Sequence, residues 1–202
     1  MLVIGLTGGI GSGKTSAASI FSGLQIPTID ADQITRDLMS PGGTAYTALS
    51  FWLGNDYFHN NGELDRKKLR DLVFNDTTRL RKLEAIVHPL VSQEFSSRLK
   101  ALPQSTPYAI LEIPLLTEKH KANLVDRVLV IDCSEETQIE RSSNRDQTNA
   151  ADIKKIIKQQ MSRSERLALA DDVINNDGSP AQLKTKIEAQ HQVYLGLSET
   201  NH

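Results

Sequence analysis

Near its start the chain reads Gly8-Gly9-Ile10-Gly11-Ser12-Gly13-Lys14-Thr15, which matches the spacing G-x-x-x-x-G-K-[ST]. The run Leu2 to Leu6 before it is short and apolar, as a buried strand is. After it, Ala17, Ile20, Phe21 and Leu24 recur at helical spacing. A strand, a glycine loop and a helix in that order constrain the fold more than any other stretch. Glycines let backbone N–H groups turn inward around an anion, and the following helix N-terminus adds about half a positive charge. Gly8, Gly9, Gly11, Ser12, Gly13, Lys14, Thr15 and Ser16 are therefore the candidate phosphate-binding residues. In such loops the lysine reaches the β- and γ-phosphates and the hydroxyl residue, here Thr15, takes Mg²⁺.

Four more apolar runs read as strands: residues 26–29, 109–113, 128–131 and 173–174. Helical patterns separate them, so an α/β fold follows, with a parallel sheet covered on both faces. The block 33–103 reads as helical and inserted between strands, interrupted at Pro41-Gly42-Gly43 and by a polar loop from Gly54 to Gly62. His88-Pro89 reads as a helix boundary, because a residue before proline avoids the α region. Residues 135–169 are polar and helical in pattern, and Pro180 opens a terminal helix with Leu183, Ile187 and Tyr194 facing the core. A net charge of −2 over 202 residues argues against a dedicated nucleic-acid binder. The lone Cys133 excludes an internal disulfide framework and fits a reducing compartment. No segment approaches the roughly 18 apolar residues that span a bilayer. The N-terminus lacks the basic region of a signal peptide, which makes the cytoplasm the expected location.

Asp30 and Asp32 lie just past the second strand, where ligands collect in open α/β sheets. On an extended segment the two would point the same way. Either could take a proton from a hydroxyl acceptor, or Asp32 could serve as a helix N-cap. Glu112 and Asp132 end further apolar runs and are alternative Mg²⁺ acids; for Asp132 a cap or turn role is the favoured reading. Arg141, Arg145, Lys154, Lys155, Lys158, Arg163 and Arg166 form a basic helical segment. Most of these charges read as solvated, with Arg141 and Arg145, four apart on one helix face, as the pair for phosphate oxygens. The histidines show no metal-ligand spacing. Trp52, at helical spacing from Tyr46 and Leu49, reads as core.

Taken together, the glycine loop, Asp30-Ala31-Asp32, Leu64-Asp65-Arg66, His88-Pro89, Pro114-Leu115-Leu116 with Glu118, Arg141 with Arg145, and the run 170–178 resemble the dephospho-coenzyme A kinase family. These landmarks stand in the family's order from about residue 2 to 195. The resemblance implies a P-loop NTPase three-layer fold with a parallel five-stranded sheet, an inserted helical substrate lobe and a helical lid. It divides the chain into a nucleotide-binding core (1–32, 104–138, 166–202), a dephospho-CoA lobe (33–103) and a lid (139–165). It implies transfer of the γ-phosphoryl of ATP, with Mg²⁺, to the ribose 3′-hydroxyl of dephospho-CoA, the last step of coenzyme A synthesis. Asp32 becomes the general base, with Lys14 and Arg141 the other catalytic groups. Arg141, Arg145, Asn176 and Gly178 would face ATP, and Thr7, Asp32, His88, Leu115 and Glu118 the acceptor. No nucleic acid, membrane or obligate protein partner is implied. Two positions depart from the pattern: Glu112 stands where many members carry Asp, and Ile156 where many carry a lid arginine. Lys155 or Lys158 could replace that charge but not its bidentate geometry. Rival readings are another small-molecule P-loop kinase and a nucleotide-dependent switch; no Asn-Lys-x-Asp guanine signature supports the latter.

Overall fold

The computed structural model describes residues 1–74, 76–114 and 116–200. It falls into two compact units, Met1–Asp30 with Leu102–His202, and Ala31–Ala101. In the first unit, five strands form one parallel sheet: β1 (Leu2–Gly8), β2 (Thr28–Asp30), β3 (Tyr108–Glu112), β4 (Arg127–Asp132) and β5 (Asp172–Asn175). All five apolar runs thus became strands, within about two residues of their expected ends. The order is β2-β3-β1-β4-β5. The glycine loop therefore leaves from the central strand, between β3 and β4.

Alternation along the strands places Ile4, Leu6, Ile110, Leu129 and Ile131 in one buried cluster. Two helices cover it. α1 (Lys14–Gly23) contributes Ala17 and Phe21, and the terminal helix α10 (Pro180–Thr200) contributes Leu183, Ile187 and Tyr194. Phe21, Tyr108 and Tyr194 pack ring to ring, with centroids 5.4 to 6.5 Å apart. Three further helices, α7 (Glu135–Asp146), α8 (Ala150–Gln159) and α9 (Arg163–Leu169), fill residues 135–169. Each starts on its own cap. The side chains of Ser134, Asn149 and Ser162 accept from amides of the following turn, and Glu165 completes a capping box.

The second unit is helical: α2 (Ala31–Met39), α3 (Tyr46–Leu53), α4 (Arg66–Phe74) and α5 (Thr77–Lys100). Its buried residues include Ile34, Leu38, Leu49, Leu69, Val87 and Phe95. One sequence expectation fails here. α5 runs unbroken through Pro89 instead of stopping at His88. Proline withdraws the amide that would serve the carbonyl of Ala85. Ala85 and Pro89 both lie on the exposed face, where solvent can take that carbonyl. Trp52 is half-buried rather than core, with the Lys82 ammonium 5.2 Å from its ring centroid. Between α3 and α4, the Tyr46 hydroxyl donates to the Gly62 carbonyl at 2.7 Å. Short α6 (Glu118–Leu124) links β3 to β4 in the first unit. Among the described residues, no helix is long and apolar enough to cross a membrane.

Candidate active site

The loop after β1 takes its shape from glycine. Gly11 and Gly13 have φ of 70° and 92°, a region L side chains rarely adopt. A methyl group at Gly9 would press on the Gln138 amide and come within 3.0 Å of Arg166 Nη2, so these side-chain ends would have to shift. Side chains from later in the chain hold the loop. Ile10 N–H donates to Gln160 Oε1 at 3.1 Å, and Gln138 Nε2 donates to the Ile10 carbonyl at 2.9 Å. Asn176 Nδ2 donates to the Ser12 carbonyl at 2.8 Å. α1 begins at Lys14, and its first hydrogen bond runs from Ala17 N–H to the Gly13 carbonyl. The amides of Lys14, Thr15 and Ser16 thus have no intrahelical acceptor, which leaves donors for an anion.

Glu112, the last residue of β3 and buried, meets this helix start. Lys14 Nζ donates to Glu112 Oε1 at 2.6 Å, and Thr15 Oγ1 donates to the same oxygen at 3.3 Å. The extra methylene relative to aspartate therefore does not displace the carboxylate from the loop. One N–H of the Lys14 ammonium is used, and two remain for phosphate oxygens. Thr7 is buried beside this group, its hydroxyl donating to the Pro114 carbonyl at 3.3 Å.

The second acid candidate has another partner. Asp132, buried at the end of β4, accepts three short hydrogen bonds from Arg163, at 2.6 to 3.0 Å. It is not the cap of α7, because Ser134 takes that place with its hydroxyl accepting from Thr137 N–H. Burial pushes the neighbouring Cys133 thiol up to about 11, so it stays protonated at neutral pH.

Arg141 and Arg145 part company. Arg141 Nη1 donates to the Asn176 carbonyl at 2.8 Å and Nη2 to the Gly178 carbonyl at 3.2 Å. Arg141, Asn176, Gly178 and Ser12 thus form one connected group beside the loop. Arg145 instead grips its neighbour Asp146 at 2.7 and 2.8 Å on an exposed surface. Asp177, between Asn176 and Gly178 in the chain, accepts from Ser134 N–H, the Thr137 hydroxyl and the Asn175 amide. These donors, the backbone N–H first, hold its carboxyl well below the usual range.

The remaining acceptor-side candidates sit as follows. Asp32 lies in the first turn of α2, where a helix dipole favours a carboxylate. Asp30 ends β2, so the two do not share an extended segment; the backbone turns into helix at Ala31. His88 is exposed on α5, and Glu118 opens α6 at an exposed position. Leu115 lies outside the described residues. The basic-segment reading missed Arg166, which is buried against Gly9 rather than solvated. Its place three residues before the buried Leu169 on α9 is a helical spacing that could have turned it inward.

A parallel sheet whose central strand delivers a glycine loop to a helix start, with the loop's lysine and threonine on a buried carboxylate, is the nucleotide-binding core of a P-loop kinase. The comparisons narrow this class. The profile of the dephospho-CoA kinase family matches residues 2–182. A dephospho-CoA kinase of Nitrosospira multiformis is 48% identical over 200 residues, 98% of this chain and 99% of the relative. Two solved structures share the fold. TT1252 of Thermus thermophilus has a TM-score of 0.82 at 30% identity, covering 95% of this chain and 96% of its own. Dephospho-CoA kinase of Campylobacter jejuni has a TM-score of 0.72 at 25% identity, covering 99% and 98%. The chain belongs to the dephospho-CoA kinase family and is a phosphotransferase.

Proposed function

We propose that this chain transfers the γ-phosphoryl of ATP to the ribose 3′-hydroxyl of dephospho-CoA, yielding coenzyme A and ADP. The observation that carries the reading is the convergence of Lys14 and Thr15 on Glu112 at the mouth of the glycine loop. The loop amides and Lys14 bind the phosphates of ATP, and Arg141, Asn176 and Gly178 form the adenine side. Asp32 accepts the proton of the 3′-hydroxyl as its oxygen bonds to the γ-phosphorus, while the bond from that phosphorus to the leaving oxygen of ADP breaks. The case for Asp32 rests on its place just past β2, whose end lies at the sheet edge where the loop emerges, and on the family pattern. His88, Leu115 and Glu118 contact dephospho-CoA from residues 33–103 and the segment after β3. Residues 139–165 serve as the lid.

Magnesium fits the oxygens present. The Thr15 hydroxyl and a Glu112 carboxylate oxygen lie 3.3 Å apart, hard donors of the kind this ion takes beside substrate phosphates. Among the described residues no group of three or more His, Cys, Asp or Glu forms a cage, which suits an ion that arrives with its nucleotide. Thr15 and Glu112 would hold it, and it supplies charge neutralisation on the phosphates.

An acceptor panel with Mg·ATP tests the substrate: dephospho-CoA, nucleoside monophosphates, shikimate and gluconate. Phosphate on a nucleoside monophosphate and none on dephospho-CoA rejects the proposal. Asp32→Asn is expected to lower kcat at least about 10²-fold with ATP affinity little changed. A near-normal kcat removes Asp32 from the chemistry.

A further inference from the structure

Lys14 and Arg163 each bind a buried carboxylate, Glu112 and Asp132; Arg166 differs from both. It is nine-tenths buried, yet it makes no ion pair among the described residues. Nη1 donates to the Met161 carbonyl at 3.2 Å, and Nε has no hydrogen-bond partner. The nearby carboxylate, Asp132, is already gripped by Arg163. Two guanidinium groups and one carboxylate leave a surplus positive charge at this place. Burial disfavours the charged form of Arg166, but a guanidinium does not shed its proton in proteins. A buried charge of this kind is strongly unfavourable without an anion beside it.

The anion's place is on hand. Arg166 lines a cavity of about 160 Å³ together with Thr7, Pro114, Gln160 and Met161. Thr7 belongs to β1 just before the glycine loop, Pro114 follows Glu112, and Gln160 holds Ile10. The guanidinium also packs against Gly9. A pocket for a drug-sized ligand runs to roughly 300–1,000 Å³. This one takes a single small group rather than a whole coenzyme. A planar fork of N–H donors binds carboxylate and phosphate oxygens bidentately, and beside a glycine loop that holds phosphates the phosphoryl group is the anion at hand.

We propose that Arg166 is a phosphoryl-binding residue that takes the terminal phosphoryl of the nucleoside triphosphate in the cavity beside Gly9. The inference rests on the ATP-dependent reading above. An arginine there would spread the charge of the group in transit, a role that contributes rate factors of about 10³–10⁵ when supplied to other P-loop enzymes.

The test compares the full-length wild type with Arg166→Met and Arg166→Lys. Melting temperature is read with and without inorganic phosphate, ATP and ADP affinities by calorimetry, and kcat with dephospho-CoA. For Arg166→Met, the melting temperature is expected to hold or rise, and its response to phosphate to shrink. ATP should bind about tenfold more weakly while ADP binding stays unchanged, and kcat should fall at least about 10²-fold. Arg166→Lys should recover part of kcat, and it carries the test alone if the methionine variant fails to fold. A lower melting temperature with ATP and ADP weakened alike overturns the proposal in favour of a structural role. So does unchanged ATP affinity with normal kcat, or a rise confined to the KM for dephospho-CoA, which would assign Arg166 to the acceptor. A wild type that binds no ATP brings down the functional reading and this inference together. A wild type that binds ATP while the variants match it brings down the inference alone.

Discussion

The glycine loop and the basic segment of α7–α9 both serve anions in this reading, but they are built differently. The loop is local. Strand, positive-φ glycines and helix start are contiguous in the chain, and the backbone itself supplies most of the donors. The basic segment is assembled from afar. Arg141 finds carbonyls about 35 residues on, Arg163 finds a carboxylate 31 residues back, and Arg145 finds only its neighbour. A cation's role in that segment depends on a partner that sequence spacing does not reveal.

The largest effect expected of any variant falls on the loop. Lys14→Ala should lower kcat by about 10³-fold or more with the melting curve still cooperative, since removing even one neutral preorganised donor costs about 10²–10³. Steady-state kinetics and calorimetric melting check it, and an active variant would place the phosphate contact elsewhere. Next, Arg141→Ala should reduce kcat and ATP affinity by about 10- to 100-fold, the range for charge-assisted hydrogen bonds, while Arg145→Ala changes either by less than about twofold. Equal effects from the two would erase the contrast drawn between them.

The smallest effect concerns stability. Asp177 ties the turn after β5 to the start of α7, and its carboxyl is held below its ordinary value of about 3.9. A depressed carboxylate stabilises the fold above that unfolded value and loses its contribution as pH falls through the folded one. Asp177→Asn should therefore melt below the wild type at neutral pH, and the gap should close progressively below about pH 4. A gap that persists in acid would show that the charge is not what holds the turn.

Much of this architecture is legible in the sequence. β1, β3 and β4 announced themselves as apolar runs, because strands buried on both faces carry no polar alternation to hide them, whereas β2 and β5 at the two edges of the sheet are only partly buried and showed as short apolar stretches. The loop was legible because its mechanism demands particular residues at fixed spacing. Pro89 misled, because a proline rule that holds on average gives way on an exposed helix face. The extended pairing of Asp30 with Asp32 misled, because the helix begins at Ala31, two residues earlier than the pattern implied. Arg166 was hidden among solvated charges, since burial there is decided by packing against Gly9 and not by its own helix.

The most direct test follows the phosphorus. The purified full-length chain is incubated with Mg·ATP labelled at the γ-position and with dephospho-CoA, and the products are separated and identified by mass and by phosphorus NMR. The label should appear on the ribose 3′-oxygen of a product with the mass of coenzyme A, in step with ADP release and absent with Lys14→Ala. Label found only in inorganic phosphate, or on another acceptor offered alongside, would contradict it.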